Sequence, residues 1–300
     1  MVQKISIIGP GVVGYATGKV LTENGFKVGF IGRSQEKIDK LRKEGYWAYT
    51  FSNFPDHKYE YEVTFITVAT PTVDGKIDLE PIRHAAKFLG GLLAFRKEYH
   101  VVVVKSTVLP GTTENIVIKE VEKMSGRKAG VDFGVCMNPE YLREKTAVED
   151  SRKPWVTLIG ELDKKSGDVL ESIYKKFAKP IFHCSLMEAE MQKYIHNLYN
   201  AVKVTFYNEM RQIAKANGLD AEKMFKINAL TAEGMWNPVY GIRDFGPYSG
   251  HCLPKDTQAF YNWAQKNGYD IGLLKSTIDV NNNLMKKMDI KNAHVIGAIL

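Results

Sequence analysis

Residues 5–14 of the chain read Ile-Ser-Ile-Ile-Gly-Pro-Gly-Val-Val-Gly, a short apolar run followed by three glycines at the spacing Gly-x-Gly-x-x-Gly. A helical pattern follows to residue 21, and residues 28–31 form a second apolar run. This order of strand, glycine turn, helix and strand is the context in which the spacing binds a dinucleotide. The stretch therefore predicts a Rossmann-like α/β fold.

Each glycine of the turn has a separate role in dinucleotide binding. Gly9 allows the tight turn, Gly11 lets the backbone approach a pyrophosphate, and Gly14 lets the helix pack closely on the strand. The anion then lies at the helix N-terminus, where backbone N–H groups point outward. A purely structural glycine turn is the alternative, and the strand–helix–strand context argues against it.

The end of the second strand bears on the choice of cofactor. An NAD site usually has Asp or Glu there to hold the ribose 2′-OH, but this chain has Gly32-Arg33-Ser34. Gly32 removes the carboxylate that would repel a 2′-phosphate, and Arg33 and Ser34 offer it a guanidinium and a hydroxyl. The sequence therefore favours NADP over NAD, with an incidental surface arginine as the alternative.

Short runs rich in valine and isoleucine continue through the first half of the chain, separated by helical stretches. They occupy residues 63–68, 100–104, 131–135 and 156–159. This alternation is typical of a doubly wound parallel sheet that is buried on both faces. Ligands of such sheets bind at the carboxyl ends of the strands. The polar segments 69–71, 106–107 and 138–140 follow these strands.

From about residue 186 the pattern becomes helical. Residues 188–218 contain no proline and no glycine before Gly218, and their apolar residues recur at helical spacing, which predicts one long helix. Shorter helices are predicted at residues 221–230, 256–267 and 272–284. We therefore expect two domains. Residues 1–185 form a dinucleotide-binding Rossmann-like domain, and residues 186–300 form an all-α dimerisation domain with a long central helix.

Composition narrows the classes of protein to consider. The 300 residues are 44% apolar and 25% charged, with a net charge of +7 that suits anionic ligands such as nucleotides. Cys136, Cys184 and Cys252 are too few and too scattered for a disulfide framework or a zinc site, so no metal is expected. The chain starts on a strand, not on a signal peptide, and has no run of membrane-span length, which predicts a cytoplasmic protein. The lack of a basic-aromatic cluster argues against nucleic-acid binding.

Cys252 lies in the run Gly246-Pro-Tyr-Ser-Gly-His-Cys-Leu-Pro-Lys-Asp256, at the end of a long loop rich in glycine and proline. Small, turn-forming neighbours allow the thiol to reach a substrate, and the nearby lysine favours the thiolate, which is the nucleophile. A buried structural cysteine beside a helix start is the alternative. Lys193 and Asn197, four residues apart on the long helix, share a face. They are either a functional pair or a solvated one.

These segments together resemble the UDP-glucose/GDP-mannose 6-dehydrogenase family, which oxidises a nucleotide sugar at C6 to the uronic acid in two hydride steps. The resemblance runs from residue 1 to about residue 283. Its motifs are residues 8–14, 68–71 with Asp74-Gly75 and Asp78-Leu79, 104–112, 138–144 and 250–256. The long helix adds Ala189-Glu190, Lys193, Asn197 and Asn208-Glu209.

The resemblance implies a covalent mechanism. Cys252 matches the nucleophile of the family, which adds to the C6 aldehyde and gives a thiohemiacetal and then a thioester. Lys193 matches the lysine that stabilises the developing oxyanion, with Asn197 as a second donor. Asp256 matches a carboxylate that handles protons with an ordered water, and Glu140 matches a glutamate implicated in thioester hydrolysis.

The glycine turn and the resemblance together give the residues expected at the two ligands. Those expected to bind NAD or NADP are Gly9, Gly11, Val12, Val13, Gly14, Arg33, Ser34, Thr70, Pro71, Thr107 and Glu144. Those expected to bind the nucleotide sugar are Glu140, Tyr141, Leu142, Lys193, Asn197, Arg243, Tyr248 and Gly250. Arg243 is expected to reach the substrate of a neighbouring subunit.

The chain departs from the family pattern at several positions. Gly32 stands where the family usually has an acid, and Lys145 stands where it often has glycine. Ser249 replaces a usual glycine, which adds a side chain at a backbone position where the family can use positive φ. His251 is an added polar neighbour of the cysteine.

Family members also carry a third domain that closes over the nucleotide part of the substrate. This chain is expected to lack it, and residues 295–299 are either its first strand or a helix tail. Three functions therefore stay open. The first is the 6-dehydrogenase or its first two domains. The second is a 3-hydroxyacid dehydrogenase of the 3-hydroxyisobutyrate or 6-phosphogluconate kind, which makes one hydride transfer without a cysteine. The third is a non-catalytic dinucleotide-binding module, which the intact Cys252, Lys193, Asn197 and Asp256 argue against.

Overall fold

The computed structural model describes residues 3–55, 59–178, 180–242 and 246–287. The chain divides into two compact units, Met1–His196 and Asn197–Leu300. Each unit has an apolar core of its own. The domain boundary predicted at residue 186 falls at the first residue of the longest helix, Leu186–Ala216, and stays a prediction.

The first unit alternates strands with helices. Its strands are β1 (Lys4–Ile8), β2 (Lys27–Gly32), β3 (Trp47–Thr50), β4 (Val63–Ile66), β5 (Thr72–Val73), β6 (Lys76–Ile77), β7 (His100–Val104), β8 (Phe133–Met137), β9 (Thr157–Glu161) and β10 (Ile181–Ser185). Its helices are α1 (Val12–Glu23), α2 (Gln35–Lys43), α3 (Glu80–Leu93), α4 (Lys119–Ser125), α5 (Ala147–Arg152) and α6 (Lys164–Tyr174). The strands β5 and β6 form a separate hairpin.

The other eight strands form one sheet in the order β10-β9-β8-β7-β4-β1-β2-β3. Six neighbouring strands of this sheet are parallel, in the spatial order β3-β2-β1-β4-β7-β8. This is the strand order of a dinucleotide-binding fold, which confirms the predicted Rossmann-like sheet. The sequence predicts residues 156–159 as a further parallel strand, but β9 pairs with β8 antiparallel. The reason is the connection, because residues 138–156 leave and rejoin the sheet at its carboxyl edge without crossing over it.

Apolar side chains cover both faces of the sheet. On β7, Val102 and Val104 belong to one core, and Val101 and Val103 belong to the other. Alternate residues of a strand point to opposite faces, so this division shows that both faces are covered. A parallel sheet requires such cover, which explains why its strands are continuous runs of valine and isoleucine.

The second unit is built from helices. They are α7 (Leu186–Ala216), whose first residues belong to the first unit, α8 (Ala221–Thr231), α9 (Glu233–Trp236), α10 (Cys252–Lys266) and α11 (Gly272–Lys287). Ile213, Ala264 and Ile271 form the buried core of this unit. The predicted long helix and the three shorter helices are confirmed. Within the described ranges, no helix is long and apolar enough to cross a membrane.

The start of α10 differs from the prediction. The sequence predicts a helix from Asp256, after Pro254, but the helix begins at Cys252. Proline is tolerated in the first turn of a helix, because the N–H that it lacks would have no helical partner there. Cys252 is therefore the first residue of a helix and not part of the preceding loop.

His100 is a fully buried histidine at the start of β7. Its Nδ1 lies 3.0 Å from the Tyr61 carbonyl oxygen, and its Nε2 lies 3.0 Å from Thr64 Oγ1. Burial lowers the pKa of His100 to about 3. The folded protein therefore keeps this ring neutral at pH values where an unfolded chain protonates it.

We expect His100 to make the protein less stable in mild acid. The unfolded ring gains a proton below its ordinary pKa of about 6.5, whereas the folded ring stays neutral down to about pH 3. Over that range the free energy of unfolding falls by about 1.4 kcal/mol per pH unit, so about 2 kcal/mol is lost between pH 6.5 and pH 5. Urea unfolding at pH 7 and pH 5 measures the loss. His100→Gln should reduce the pH dependence and the exposed His84→Gln should retain it, so equal slopes in all three proteins would refute this account.

Candidate active site and cofactor cleft

The turn between β1 and α1 has the form that a dinucleotide requires. Gly9 has a φ of 104°, and a Cβ on it would lie 2.7 Å from a backbone nitrogen after β4. A Cβ on Gly14 would lie 2.3 Å from the Gly9 carbonyl oxygen. Around Gly11 a Cβ would meet no atom within 4 Å, so this backbone is open to a ligand, and Val12 and Val13 then begin α1. These residues fit a pyrophosphate at the helix N-terminus.

A cleft of about 490 Å³ opens beside this turn. Its walls are the glycine turn, the end of β2, the segment after β4 and the start of α3. Arg33 and Lys37 lie exposed on the β2 side. Ser34 Oγ accepts a hydrogen bond from the Lys37 N–H at 3.3 Å and caps α2, an interaction that uses an oxygen lone pair and not the hydroxyl hydrogen.

Gly32 has a packing reason to be glycine. A Cβ on Gly32 would lie 2.7 Å from Cδ of Pro10, in the glycine turn. The proline therefore fills the space in which the acidic residue of an NAD site would begin. Both residues are visible in the sequence, but only the packing shows that one accounts for the other.

Hydrogen bonds join the loops after β4 and β7. Thr70 Oγ1 donates to the Thr107 carbonyl oxygen at 2.7 Å, and Ser106 Oγ donates to the Val68 carbonyl oxygen at 2.6 Å. Val68 lines the cleft, so the loop after β7 is held against the cleft wall. Pro71 is exposed next to Thr70. The structure thus brings Thr70 and Thr107 together.

Lys193 and Glu140 form a buried ion pair in the first unit. Lys193 Nζ lies 2.9 Å from Glu140 Oε1 and donates to the Glu140 carbonyl oxygen at 2.5 Å. The exposed fraction is 6% for the lysine side chain and 14% for the glutamate side chain. Glu140 Oε2 accepts a hydrogen bond from the Leu142 N–H at 2.6 Å, which fixes the carboxylate on the loop after β8. The ammonium group is therefore held in one place, with two of its three donors used in these contacts.

Tyr141 packs beside this pair. Its hydroxyl donates to Gln192 Oε1, and its ring centroid lies 4.9 Å from that of His196. Lys193 Nζ lies 5.5 Å from the centre of the tyrosine ring. Burial raises the pKa of the Tyr141 hydroxyl. The aromatic ring and the carboxylate thus confine the lysine from two sides.

Glu144 is exposed in a short 3-10 turn, Glu144–Thr146. The side chain of the preceding Arg143 donates two hydrogen bonds to Asp150, at 2.6 Å and 3.0 Å, and its guanidinium lies 5.1 Å from the centre of the Trp155 ring. This arginine holds the pKa of the Asp150 carboxyl well below its usual range. The clamp fixes the loop that carries Glu144, and the motif alone does not reveal it.

Lys105 is a buried lysine to which the sequence assigns no role. Its Nζ donates to Asn138 Oδ1 at 2.8 Å and to Tyr174 Oη at 3.3 Å. Burial lowers the pKa of Lys105 to about 8. Its signal in the sequence is its position directly after four buried valines, where a charge is unexpected. The lysine anchors the start of the loop that carries Glu140.

Cys252 is the exposed one of the three cysteines of the chain. Burial raises the pKa of the Cys136 thiol to about 12 and that of the Cys184 thiol to about 11, which makes both poor nucleophiles. One turn into α10, Asp256 Oδ1 lies 2.6 Å from Lys255 Nζ, and both side chains are largely exposed. The second unit therefore presents an accessible thiol at a helix N-terminus, with an ion pair on the same turn.

The other predicted substrate residues are spread over the second unit. Asn197 is exposed on α7. The Tyr248 carbonyl oxygen accepts a hydrogen bond from Asn281 Nδ2 at 3.0 Å. Positive φ falls on Gly250, at 81°, and not on Ser249, so the serine introduces no backbone strain. Arg243 lies outside the described residues, as does the segment 295–299.

Comparison with known families covers most of the chain. The NAD binding domain of the UDP-glucose/GDP-mannose dehydrogenase family matches residues 47–178, and the central domain of the same family matches residues 187–283. The chain belongs to the UDP-glucose/GDP-mannose dehydrogenase family. The resemblance seen in the sequence is thus confirmed, and the first half of the chain is an NAD-binding domain of this dehydrogenase family.

Individual members of this dehydrogenase family are similar to the chain over nearly its whole length. GDP-mannose 6-dehydrogenase of Pseudomonas aeruginosa is 38% identical over 312 residues, covering 97% of this chain and 71% of that protein. A crystal structure of a ternary complex of the P. aeruginosa GDP-mannose dehydrogenase gives a TM-score of 0.88 at 37% identity, covering 95% of this chain and 70% of that one. A UDP-glucose dehydrogenase from Pyrobaculum islandicum gives a TM-score of 0.72 at 29% identity, covering 96% and 72%. The chain spans about seven tenths of the length of these relatives.

Proposed function

We propose that the chain takes part in the NAD(P)-dependent oxidation of a nucleotide sugar at C6 to the uronic acid. The buried pair of Lys193 and Glu140 carries the proposal. Removing two charges from water costs free energy even when they pair, so such a pair is weak as a stabilising device. It lies at the carboxyl edge of the sheet, where ligands of this fold bind. A held ammonium group at that edge suits a reaction in which negative charge develops on oxygen.

Cys252 is the proposed nucleophile. After the first hydride has left C6, the sulfur attacks the aldehyde carbon, and its electron pair forms the C–S bond of a thiohemiacetal. Lys193 and Asn197 are the proposed donors to the oxygen, whose negative charge develops as that bond forms. Departure of a second hydride from the same carbon converts the thiohemiacetal into a thioester.

Water completes the proposed reaction. It attacks the thioester carbon, a carboxylate accepts its proton, and the C–S bond breaks so that the thiolate leaves with the electron pair. Glu140 and Asp256 are the proposed acceptors, and each lies beside a lysine, at 2.9 Å and 2.6 Å respectively. Two molecules of NAD(P)⁺, bound in turn, would each accept one hydride, so that one alcohol, one water and two NAD(P)⁺ become one carboxylate, two NAD(P)H and three protons.

GDP-mannose is the first substrate to test. The P. aeruginosa relative, at 38% identity, is named GDP-mannose 6-dehydrogenase, and this likeness favours GDP-mannose over UDP-glucose for this chain. Purified protein is incubated with each sugar nucleotide and with NAD⁺ or NADP⁺, and the NAD(P)H and the sugar product are quantified by absorbance and mass spectrometry. Two NAD(P)H per uronic acid are expected. One NAD(P)H without acid would favour the single-hydride alternative, and cofactor binding without turnover would leave a non-catalytic module.

Cofactor choice gives a separate prediction. We expect NADP⁺ to bind at least as tightly as NAD⁺, because position 32, at the end of β2, carries no carboxylate and Arg33 and Lys37 border the cleft. A charge-assisted hydrogen bond contributes about 1.5–3 kcal/mol, which corresponds to roughly tenfold or more in affinity. Calorimetric titration of the wild type and of Arg33→Ala with both oxidised cofactors measures it.

The matched control for this titration is Lys40→Ala, an exposed lysine on α2, the helix that begins two residues after Arg33. Arg33→Ala should weaken NADP⁺ binding about tenfold and leave NAD⁺ binding within about twofold. Lys40→Ala should change neither. Tighter binding of NAD⁺ by the wild type, unaffected by the arginine substitution, would show that Arg33 is only a surface residue.

We also propose that the chain forms a homodimer through α7. Leu198, Val202 and Phe206 recur every four residues on this helix, and their exposed fractions are 58%, 52% and 42%. Residues at this spacing share one helix face, so the helix presents an apolar stripe. Such a stripe is favourable when a second copy covers it.

A further inference from the structure

Glu190 is a buried carboxylate on the first turns of α7. Glu190 has no solvent-exposed surface. Its two carboxylate oxygens accept hydrogen bonds from the backbone N–H groups of Gly111 and Thr113, at 2.5 Å and 2.7 Å. Burial raises the pKa of this carboxyl, against the effect of these hydrogen bonds. A carboxylate removed from water to hold two main-chain groups indicates that their position matters.

The held backbone belongs to the loop that follows β7. The loop turns at Gly111, which has a φ of 87°, and continues into a helical turn, Thr113–Ile118. At its other end the loop is bonded to the wall of the cofactor cleft, through Thr107 to Thr70 and through Ser106. Glu190 therefore fixes one end of a segment whose other end borders the cleft.

The same part of α7 also carries Lys193, less than one turn beyond Glu190. Lys193 holds Glu140 on the loop after β8, as Glu190 holds the loop after β7. All of these residues belong to the first unit. One rigid stretch of helix thus sets the positions of two neighbouring loops at the carboxyl edge of the sheet.

The strand order shows which end of a bound dinucleotide would lie beside these two loops. In this arrangement the two halves of the cofactor lie on either side of the point where the strand order reverses, between β1 and β4. The glycine turn and the end of β2 hold the half that carries the adenosine. The nicotinamide half therefore lies over the ends of β4 and β7, beside the loop that Glu190 holds.

We propose that Glu190 is a positioning residue that fixes the loop after β7 against α7 and so sets where the nicotinamide lies relative to Lys193. The proposal rests on the proposed function for the reaction that Glu190 would affect, but the binding of a dinucleotide does not depend on that function. Its consequence is specific: loss of the carboxylate should disturb hydride transfer and the surroundings of the nicotinamide much more than the affinity for the dinucleotide. The affinity depends mainly on the glycine turn and the adenosine half.

The test compares Glu190→Gln with Glu188→Gln. Glutamine keeps the shape of the side chain, but its amide nitrogen is a donor and cannot accept from a backbone N–H. Glu188 is an exposed glutamate on the same turn, which bonds Ser185. For Glu190→Gln we expect kcat to fall about tenfold or more, with the KM of the sugar and the Kd of NADH within about threefold. The kinetic isotope effect with the 6-deuterated sugar should rise, because hydride transfer becomes slower. Glu188→Gln should match the wild type.

Two further measurements need no turnover. Amide hydrogen exchange at Gly111 and Thr113 should be about tenfold faster in Glu190→Gln and unchanged in Glu188→Gln. The fluorescence of bound NADH, which reports the surroundings of the nicotinamide, should move towards that of free NADH in Glu190→Gln only. Faster exchange with unchanged NADH fluorescence and unchanged kcat would mean that the carboxylate has a purely structural role, and it would overturn the proposal. Unchanged exchange in Glu190→Gln would also overturn it. So would failure of the wild type to bind NADH. A wild type that binds NADH but oxidises no sugar would remove the proposed function, and the fluorescence comparison would still decide the role of Glu190.

Discussion

Replacement of Cys252 by serine is expected to lower uronic acid formation at least about a thousandfold, while dinucleotide binding stays unchanged. The proposed reaction requires an anionic sulfur to attack the aldehyde carbon, and a serine hydroxyl without a dedicated base is a far weaker nucleophile. A helix N-terminus favours negative charge, and Cys252 is the first residue of α10. Mass spectrometry of the sugar product and calorimetry with the cofactor measure the two effects.

Cys184→Ser is the control for this substitution. Cys184 lies half-buried on β10, outside the proposed machinery, and its replacement should leave the rate within about twofold. Intact protein treated with substrate and cofactor, then quenched in acid, should carry a sugar adduct in the wild type and in Cys184→Ser but not in Cys252→Ser. Undiminished uronic acid formation by Cys252→Ser would contradict the covalent mechanism.

Most of the parallel sheet could be predicted because burial on both faces leaves a mark on the sequence. The four valines of β7 are an example, since each face of the strand needs its own apolar residues. The strand β10 shows the opposite case. Residues Ile181–Ser185 lie at the sheet edge, and each is half-buried or exposed, so no apolar run marks them. The antiparallel direction of β9 could not be predicted either, because the residues of a strand do not encode which way its connection runs.

The sequence predicts candidate site residues, but it does not predict the contacts that hold them in position. The family motifs gave Lys193 and Glu140, and the structure brings them together. Lys105 and Glu190 also lie in the family motifs, but their partners do not follow from the motifs. Lys105 bonds Asn138 on the loop that carries Glu140, and Glu190 bonds the loop after β7. A hydrogen bond between residues 79 positions apart, such as that from Gly111 to Glu190, cannot be predicted from any local sequence pattern. The fold alone supplies it.

Replacement of Lys193 by methionine is expected to lower turnover by at least about a hundredfold. The loss of one preorganised donor to a developing oxyanion has that magnitude. Lys193 is held by two contacts with Glu140 and its side chain is only 6% exposed, so solvent screens its hydrogen bonds little. Methionine keeps much of the volume of the side chain, which separates the loss of charge from the opening of a cavity. Steady-state rates with the nucleotide sugar measure the effect, and the exposed Lys215→Ala, on the same helix, should match the wild type.

Loss of Lys193 also leaves the Glu140 carboxylate buried without its partner, which should lower the free energy of unfolding by about 3–5 kcal/mol. The double variant Lys193→Met/Glu140→Gln distinguishes this effect from catalysis. Removing both charges should recover most of the stability, since a buried pair often stabilises little more than neutral residues do. Turnover, in contrast, should stay at or below that of the single variant, because no donor to the oxyanion has been restored. If the double variant regained both stability and activity, Lys193 would act only by neutralising Glu140. A mere twofold loss of turnover in Lys193→Met would show that the ammonium group does not touch the reacting oxygen.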